Sequence, residues 1–331
     1  MADADPRRAI DLDQLAYGPV PSRRLGRSLG VNTIPAKACS YSCVYCQVGR
    51  TSSLCHERRD FHAPQDVFRA VRRKLEAARA AGLGVDFVTI VPDGEPTLDR
   101  SLGRTIALVK ALGVPVGVIT NGSLLWRKDV RDDLGDAAWV SVKVDAVAPE
   151  AWRRVNRPHG ALSLERILAG QREFAAGFKG ELVTETMLVA GVNDGDDHLR
   201  QVAGFLRELR PAKAYLGIPT RPPAQPWVTG PEPAVLNRAY HLLAEGVDRV
   251  EYLIAYEGDT FAPTGDVAAD LLGITAVHPM RRQAVERFLD EVGAAWSVVD
   301  GLLARGALIE TGYEGHVYYV RPFAGRRGGT S

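Results

Sequence analysis

The sequence has few cysteines and no long apolar run. Only four cysteines occur among its 331 residues, all between positions 39 and 55, and this pattern argues against a disulfide framework. No stretch approaches the roughly 20 apolar residues of a membrane-spanning helix. The first residues lack the apolar core of a secretory signal peptide. We therefore expect a cytoplasmic protein without a membrane partner.

The sequence also lacks a clear excess of charge of either sign. Its 41 Lys and Arg residues nearly balance 40 Asp and Glu residues, which gives a net charge of +1 and argues against a general affinity of the whole chain for nucleic acid. Residues 14–62 are an exception, because they carry seven basic and two acidic side chains. Such a local excess is expected either near an anionic substrate or on a solvated basic face.

Three of the four cysteines form a compact motif. Cys39, Cys43 and Cys46 have the spacing C-x3-C-x2-C and follow the extended segment 29–34. Iron–sulfur clusters normally take four cysteine ligands, so three cysteines on one loop leave one iron open to a ligand that is not protein. Structural zinc, which needs four ligands, and simple burial are the alternatives. Cys55 lies outside the motif, and we interpret it as a bystander.

After a polar tail at 1–13, which we expect to be mobile, the residues 14–262 alternate between β-rich runs and amphipathic helices. The predicted strands are 29–34, 87–91, 116–120, 140–144, 182–189 and 214–218, and the predicted helices are 65–81, 101–112, 164–176 and 197–209. This alternation favours parallel strands joined by right-handed crossovers. Six units are too few for a closed eight-stranded barrel. We therefore predict an α/β fold, an open partial (βα)6 barrel.

Each of the six predicted strands is followed by polar, glycine or proline residues. These segments are the cysteine loop, 93–97, 120–123, 143–145, 190–194 and 219–223. Turn formation explains one or two such segments, but six in succession less well. In closed barrels of parallel strands the reactive groups sit at the C-terminal strand ends, and we extend that rule to this chain. The sequence therefore predicts one active site at these ends.

In these features the chain resembles the radical S-adenosylmethionine (SAM) superfamily over roughly residues 29–260. The cysteine motif, with Tyr45 just before Cys46, is similar to the motif that binds a [4Fe-4S] cluster in that family. The resemblance implies an enzyme that cleaves SAM reductively to a 5′-deoxyadenosyl radical, which abstracts hydrogen from a substrate. It also implies an external one-electron donor of the flavodoxin or ferredoxin type.

The same resemblance implies SAM contacts at the other strand ends. Gly94-Glu95-Pro96 is similar to the GGE motif that holds the SAM ammonium, although Asp93 replaces the first glycine. Lys143 and Asp145 match the region that usually contacts the SAM ribose or carboxylate. The remaining candidates for cofactor contacts are Asn121, Val189 and Gly217, the last two near the adenine.

Several of these candidates also have ordinary structural explanations. Glu95 is placed to cap the turn at Pro96, and Asn121 belongs to an Asn-Gly pair, which is a common turn. Lys143 is a candidate for a Schiff base with a carbonyl substrate, for a SAM contact or for a solvated lysine. Candidate substrate contacts, for which a surface or capping role is the alternative, are Arg157, His159 and Arg221.

Three further segments narrow the resemblance. Residues 17–26, 93–98 and 186–194, together with the cysteine loop, resemble the wyosine-synthetase-like branch, whose characterised members modify a transfer-RNA base. The synthases of that branch carry a second cluster on upstream cysteines, whereas this chain has no cysteine before Cys39. We therefore expect a substrate that the sequence does not identify, an RNA base or another anionic molecule.

Residues 263–331 follow a different pattern. It predicts one helix with Val285, Phe288, Leu289 and Val292 on one face, a second helix at 296–305 and a hairpin of 308–311 and 316–320. This order resembles a winged-helix domain. Seven basic and eight acidic side chains give little excess charge for neutralising phosphates. A protein contact or a structural lid is therefore favoured over DNA or RNA binding.

Two other classes of function are compatible with the cysteines. One is a non-enzymatic iron–sulfur sensor that regulates through its winged-helix-like domain, and the other is a zinc-stabilised RNA-binding module. A sensor needs no SAM-binding groups at the strand ends, and structural zinc needs a fourth ligand. The motifs at the strand ends therefore favour the enzyme.

Overall fold

The computed structural model describes Leu12 and residues 15–254, 266–277, 279–313 and 315–322. Apart from Leu12, the predicted tail at 1–13 lies outside the described residues, and so does the predicted domain boundary between 262 and 263. In the described part of the chain, none of the helices combines the length and the apolar character that crossing a membrane requires.

The first ten strands build one large sheet and one short strand pair. Along the chain they are β1 Ala16–Ser22, β2 Gly26–Val31, β3 Ala38–Cys39, β4 Ser53–Leu54, β5 Phe87–Ile90, β6 Val116–Thr120, β7 Trp139–Lys143, β8 Glu181–Met187, β9 Lys213–Gly217 and β10 Val250–Leu253. The large sheet has the order β1-β2-β5-β6-β7-β8-β9-β10. Strand β1 pairs antiparallel with β2, and all later neighbours pair in parallel. The sheet is therefore open, with β1 and β10 at its edges.

Helices connect the parallel strands. They are α1 Pro64–Ala80, α2 Leu102–Lys110, α3 Lys128–Leu134, α4 Pro149–Asn156, α5 Leu164–Gly177, α6 Asp196–Leu209 and α7 Pro233–Ala244. Helix α1 begins at a proline, whose missing N–H has no partner in a first turn anyway. Its buried Val67 and Val71 belong to the same apolar core as Leu29 and Val88 of the sheet. Amphipathic helices thus cover the sheet and leave the strand ends for other contacts.

The observed sheet confirms the predicted α/β class and extends it. All six predicted strands are present, and β1 and β10 are additional edge strands. Helices α3 and α4 were not predicted, because seven and eight residues are too few to show a clear period. Helix α7 was missed although Leu236, Ala239 and Leu243 are buried at helical spacing. The missed helices are thus short or lie toward the end of the alternation, whereas the missed strands β1 and β10 lie at the two edges of the sheet.

The described residues between 266 and 322 form a second, smaller unit. Its elements are α8 Val267–Val277, β11 Met280–Arg281, α9 Arg282–Val292, α10 Ser297–Ala304, β12 Ile309–Tyr313 and β13 His316–Val320. The three strands form an antiparallel sheet with the order β11-β13-β12. Phe288, Leu302 and Tyr319 are buried in its own core. The two predicted helices and the hairpin are present, whereas α8 and β11 were not predicted. The winged-helix description of this unit stays a prediction.

The second unit contacts both the large sheet and the segment that follows β9. Helix α8 contacts β1, where a Cβ on Gly273 would lie 3.4 Å from the Cβ of Tyr17. The hydroxyl of Tyr313 donates to the carbonyl of Pro219 at 3.1 Å, and that of Tyr318 donates to the carbonyl of Thr220 at 3.1 Å. The second unit is therefore tied to the segment that follows β9.

Candidate active site

The carboxyl ends of the parallel strands open into a cavity of about 290 Å³. It is lined by the three predicted cluster ligands and by six of the nine predicted cofactor contacts. These residues are Cys39, Cys43, Cys46, Tyr45, Gly94, Glu95, Asn121, Lys143 and Gly217. Of the predicted substrate contacts, Arg221 also lines the cavity. The fold thus brings most of the predicted site together in one place.

The other predicted contacts lie outside the cavity lining. Pro96 is buried at the start of the 3-10 turn Pro96–Leu98, and Val189 is fully buried against Val44 and Val228. Asp145 is buried as well, but its carboxylate accepts a hydrogen bond from the Tyr45 hydroxyl. Asp145 is therefore connected to the cavity through Tyr45.

The loop that carries the cysteines is held by helix α4. The N–H of Ser42 donates to the carbonyl of Asn156 at 3.0 Å, and the N–H of Val44 donates to that of Val155 at 2.9 Å. Arg157 ends α4 in a left-handed conformation, with φ of 44°. The N–H of His159 donates to the carbonyl of Ser40 at 2.9 Å. Arg157 and His159 thus belong to the support of the cysteine loop, although neither lines the cavity.

Each thiol of the motif is approached by the N–H donor of one side chain. Asn121 Nδ2 lies 3.7 Å from Cys39 Sγ, and Asn156 Nδ2 lies 3.5 Å from Cys43 Sγ. Lys37 Nζ lies 3.5 Å from Cys46 Sγ. These three donors come from the end of β6, the end of α4 and the loop before β3. The sequence analysis had considered only Asn121 among them.

The protein alone keeps two of these thiols protonated. Burial raises the pKa of Cys39 well above its ordinary value, and the charge of Glu95 raises it further. Burial and the charge of Asp145 raise the pKa of Cys43 to about 12, although a hydrogen bond from Asn156 acts against this. A coordinated thiol is deprotonated by the metal itself. Iron binding at this loop is therefore expected to release protons.

Three soft thiolate donors on one loop fit an iron–sulfur cubane, in which each thiolate binds a different iron. Among the described residues, no three His, Cys, Asp or Glu side chains are arranged around a position for one metal ion. The peptide of Cys55 is close to the motif, because its N–H donates to the carbonyl of Cys39 at 2.9 Å. Its side chain packs against the main apolar core. This placement agrees with the interpretation of Cys55 as a bystander.

The glycine at position 94 is required by a close approach to the cysteine loop. A Cβ at Gly94 would lie 1.9 Å from the carbonyl oxygen of Ala38, far inside van der Waals contact. The neighbouring N–H of Glu95 donates to that same oxygen at 3.0 Å. Any side chain at position 94 would therefore push the end of β5 away from the loop that carries the thiols.

The buried carboxylate of Glu95 joins two strand ends. It accepts hydrogen bonds from Thr97 N at 3.0 Å, Thr120 Oγ1 at 2.6 Å and Asn121 N at 2.7 Å. The capping alternative is thus realised, since Glu95 caps the turn Pro96–Leu98. Burial raises the pKa of Glu95, while hydrogen bonds from Thr120, Thr97 and Asn121 act against this. All of these partners are neutral.

A second buried carboxylate, Glu185 on β8, has charged partners. Its Oε1 lies 2.7 Å from Arg24 Nε and accepts from Ser141 Oγ at 2.8 Å, and its Oε2 pairs with Lys143 Nζ. Burial alone would raise the pKa of Glu185, but the charges of Arg24 and Lys143 lower it below its ordinary value. Lys143 is therefore engaged in an ion pair with Glu185. This arrangement does not favour the Schiff-base alternative.

Two further arginines line the same cavity. Arg23 donates to the carbonyl of Leu253 at 2.6 Å, and Arg221 donates to Gln47 Oε1 at 2.8 Å. We call Arg23, Arg24, Lys143, Glu185 and Arg221 the arginine group, and Cys39, Cys43, Cys46, Glu95 and Asn121 the cysteine group. The sequence analysis assigned no role to Arg24 or Glu185. Two features of the sequence could have drawn attention to these residues. They are the adjacent arginines Arg23-Arg24 in the segment 17–26, and the charged Glu185 inside the predicted strand 182–189.

Comparison with known proteins identifies the family. The model of the radical SAM superfamily matches residues 33–203. The UPF0026 protein MJ1312 of Methanocaldococcus jannaschii is 40% identical over 314 residues, which cover 94% of this chain and 97% of that protein. The UPF0026 protein slr1464 of Synechocystis is 38% identical over 208 residues, which cover 62% of this chain and 76% of that protein.

A solved structure shares the fold. A radical SAM methyltransferase from Sphaerobacter thermophilus superposes with a TM-score of 0.53 at 18% identity and covers 69% of this chain and 67% of its own. The family match spans the cysteine loop, α4 and strands β5 to β8, which carry most of the cavity. The chain therefore belongs to the radical SAM superfamily, whose members are enzymes that use a [4Fe-4S] cluster and SAM.

Proposed function

We propose that this chain binds a [4Fe-4S] cluster through Cys39, Cys43 and Cys46 and cleaves SAM reductively within the cavity. The observation that supports this proposal is the convergence of three thiols, Glu95 and Asn121 on one cavity. When bound, the cluster supplies the electron that cleaves SAM, and the resulting 5′-deoxyadenosyl radical abstracts hydrogen from the substrate. The protein holds the reactants and excludes competing reactions.

Glu95 is the proposed partner of the SAM ammonium. An ionised carboxylate has about four acceptor positions. Three hydrogen bonds converge on Oε1, from Thr97 N, Thr97 Oγ1 and Thr120 Oγ1, whereas Oε2 accepts from Asn121 N. Because all of these donors are neutral, the negative charge of Glu95 is not cancelled by them. Oε2 thus has fewer hydrogen-bond donors than Oε1, and a cationic amine in the cavity would supply a further donor together with the missing positive charge.

An anionic substrate is the proposed class. The cavity is lined by the basic side chains of Arg23, Arg24, Lys143 and Arg221 and by the acidic side chains of Glu95 and Glu185. The lining therefore carries an excess of two positive charges, which attracts anions. One of these charges suits the SAM carboxylate and the other suits the substrate. An RNA base with its phosphates belongs to this class, and the segments shared with the wyosine-synthetase-like branch support it.

Residues 14–262 are the proposed catalytic domain, and 263–331 the proposed winged-helix-like domain. The second unit contacts the segment 219–221 through Tyr313 and Tyr318, and this segment lines the cavity. We infer that its role is a contact with its own catalytic domain, which favours a lid over a nucleic-acid surface. The proposed electron donor is a separate protein of the flavodoxin or ferredoxin type.

Anaerobic reconstitution with iron and sulfide, followed by dithionite and SAM, tests the proposal. We expect methionine and 5′-deoxyadenosine to form, and SAM to change the spectrum of the cluster even without substrate. Glu95→Ala is expected to weaken SAM binding, whereas Glu76→Ala, an exposed site on α1, leaves it unchanged. A cluster that forms normally but neither responds to SAM nor cleaves it would instead support the iron–sulfur sensor.

A further inference from the structure

The three cluster-binding cysteines have one feature that the proposed function does not need. Each sulfur is within 3.5 to 3.7 Å of a nitrogen donor, and each donor is a different side chain. SAM binding and hydrogen abstraction require only the cluster, its open iron and the positioned reactants. Donors directed at the protein sulfurs act instead on the electronic properties of the cluster, because hydrogen bonds to sulfur help to set its reduction potential.

The two amide donors are held in place by second partners. Asn121 Nδ2 also donates to Ser40 Oγ at 2.8 Å, and Asn121 Oδ1 accepts from Ser123 N at 2.9 Å. Asn156 Nδ2 also donates to Asp145 Oδ2 at 2.7 Å. A side-chain amide has two N–H donors, so one N–H serves the oxygen and the other the sulfur. The orientation of both amides is therefore fixed before any ligand binds.

The third donor, Lys37, carries a charge and is buried. Its residue is 3% exposed, and its Nζ donates to the carbonyl of Gly49 at 2.6 Å as well as toward Cys46 Sγ. Its backbone has φ of 64°, a conformation that a lysine rarely adopts. The N–H of Lys37 donates to the carbonyl of Asp93 at 2.8 Å, and its carbonyl accepts from Ser53 N at 3.1 Å. The fold thus anchors the lysine backbone on both sides.

The three sulfurs differ in the net charge around them. Cys39 and Cys43 have neutral amide donors, and the buried carboxylates Glu95 and Asp145 repel negative charge on them. Cys46 has an ammonium instead. Among the described residues, no carboxylate forms an ion pair with the Lys37 ammonium, although its charge also acts on the buried Asp93. A fixed positive charge in a buried site acts more strongly than in water, because the surrounding dielectric constant is low.

We propose that Lys37, Asn121 and Asn156 are positioning residues that raise the reduction potential of the cluster, with Lys37 contributing most. The inference rests on the proposed binding of the cluster by the three cysteines. The reduced cluster carries one more electron than the oxidised one, so N–H donors and an ammonium at its sulfurs stabilise the reduced form more. Their loss should therefore lower the potential and make one-electron reduction harder.

An anaerobic redox titration of the reconstituted full chain, followed by the EPR signal of the reduced cluster without SAM, tests this proposal. We expect Lys37→Met to lower the midpoint potential, and Lys37→Arg, which keeps the charge, to lower it less. Asn156→Ala and Asn121→Ala should each give a smaller downward shift. Lys128→Met removes a lysine that is 80% exposed at its side chain and is expected to leave the potential unchanged.

Iron and sulfide content per chain are measured for every variant, so that a change in potential is separated from a loss of cluster. If Lys37→Met binds a full cluster with the potential of Lys128→Met, the proposal is overturned. If Lys37→Met cannot hold the cluster, the proposal is judged on Lys37→Arg, Asn121→Ala and Asn156→Ala. Unchanged midpoint potentials in all three of these variants would overturn the proposal. If the unaltered chain takes up no cluster at all, the proposed function fails, which is a different result.

Discussion

The cysteine group and the arginine group each contain one buried glutamate, and the two are held in opposite ways. Among the described residues, Glu95 has hydrogen bonds only from Thr97, Thr120 and Asn121, and its pKa is raised by burial. Glu185, despite its burial, has its pKa lowered by two cations. Both glutamates line the same cavity. The two residues are thus of the same type and are both buried, but only Glu185 has charged neighbours that bind its carboxylate.

This difference separates a binding role from a structural one. The charge of Glu185 is already balanced by Arg24 and Lys143, so it has little attraction left for a cationic ligand. The carboxylate of Glu95 is held in one orientation, but no positive charge balances it, because hydrogen bonds from neutral groups do not neutralise a carboxylate. A buried carboxylate of the second kind is costly unless a cation arrives. The comparison predicts that Glu185 supports the fold and that Glu95 supports ligand binding.

The largest expected effect comes from Glu185→Gln. This change leaves the partly buried cations of Arg24 and Lys143 without the buried carboxylate of Glu185, and breaking a buried ion pair costs about 3–5 kcal/mol. The free energy of unfolding, measured by urea denaturation, should fall by that amount. Glu251→Gln is the matched control, since Glu251 pairs with Lys213 and Arg249 at 44% side-chain exposure, where ion pairs contribute about 0–1 kcal/mol. Equal losses in both variants would contradict the assignment.

Asp93 is another buried carboxyl group, and among the described residues it forms no ion pair and lacks a full set of donors. Its Oδ1 has no hydrogen-bond partner among the described residues, and burial raises its pKa to about 7, against the charges of Lys37 and Arg321. Because the unfolded chain loses this proton near its ordinary pKa of about 4, the free energy of unfolding should fall as pH rises from about 4 to about 7. Above that window the contribution is constant.

Asp93→Asn removes this pH dependence. Relative to the unaltered chain, the variant should become more stable as pH rises from 4 to 7, by at most about 4 kcal/mol, since each pKa unit corresponds to about 1.4 kcal/mol. Urea denaturation at pH 5 and pH 8 gives the comparison. Asp132→Asn, at an exposed site paired with Lys128, serves as the control. A difference between Asp93→Asn and the unaltered chain that does not grow with pH would argue against a raised pKa.

Glu95→Gln should have a smaller effect on stability and a selective effect on SAM. The amide oxygen of glutamine still accepts hydrogen bonds from Thr97 and Thr120, so we expect a loss of about 1 kcal/mol in the free energy of unfolding. The lost charge should weaken SAM binding by about 10–100-fold, since a hydrogen bond to a charged group is worth about 1.5–3 kcal/mol. A SAM titration of the reconstituted cluster measures this. Unchanged SAM affinity would assign Glu95 to capping alone.

The cysteine group could be predicted from sequence better than the arginine group. The three cysteines share one short motif, and Glu95 and Asn121 lie in the short segments that follow two predicted strands. Glu185, in contrast, lies inside β8, and its partners are 161 and 42 positions away at Arg24 and Lys143. Nothing local in the sequence indicates that these three charges meet. The parallel pairing of β7 with β8 brings Lys143 next to Glu185, and the turn between the antiparallel strands β1 and β2 carries Arg24.

The donors to the sulfurs show the same limit. Asn156 ends a helix that is too short to show a period, and Lys37 acts through a left-handed backbone that its residue type does not predict. The sequence analysis assigned Gly94 to a motif by resemblance, but the structural reason for a glycine there is the carbonyl of Ala38, which lies 56 positions earlier. Local patterns thus predicted the elements and the motif residues, whereas the contacts between distant segments became visible only in the fold.

The smallest expected effect concerns how the arginine group is anchored. Arg221 follows Thr220, whose carbonyl accepts from the buried hydroxyl of Tyr318, and Arg281 Nε donates to that hydroxyl at 3.1 Å. Tyr318→Phe removes the neutral hydrogen bond to Thr220, worth about 0.5–1.5 kcal/mol, together with the one that Arg281 donates. Amide hydrogen exchange at 219–221 should become faster, because local opening depends on such contacts.

Tyr319→Phe is the matched control for this last change. Tyr319 is also buried on β13, but its hydroxyl donates to Glu310 at 2.7 Å within the second unit, so its loss should leave exchange at 219–221 unchanged. If both variants accelerate exchange there equally, the second unit acts through its general stability. If only Tyr318→Phe does so, one side of the cavity depends on a contact from the second unit. The cysteine loop, by comparison, is held by α4, which belongs to the unit of the large sheet, and its exchange should be the same in both variants.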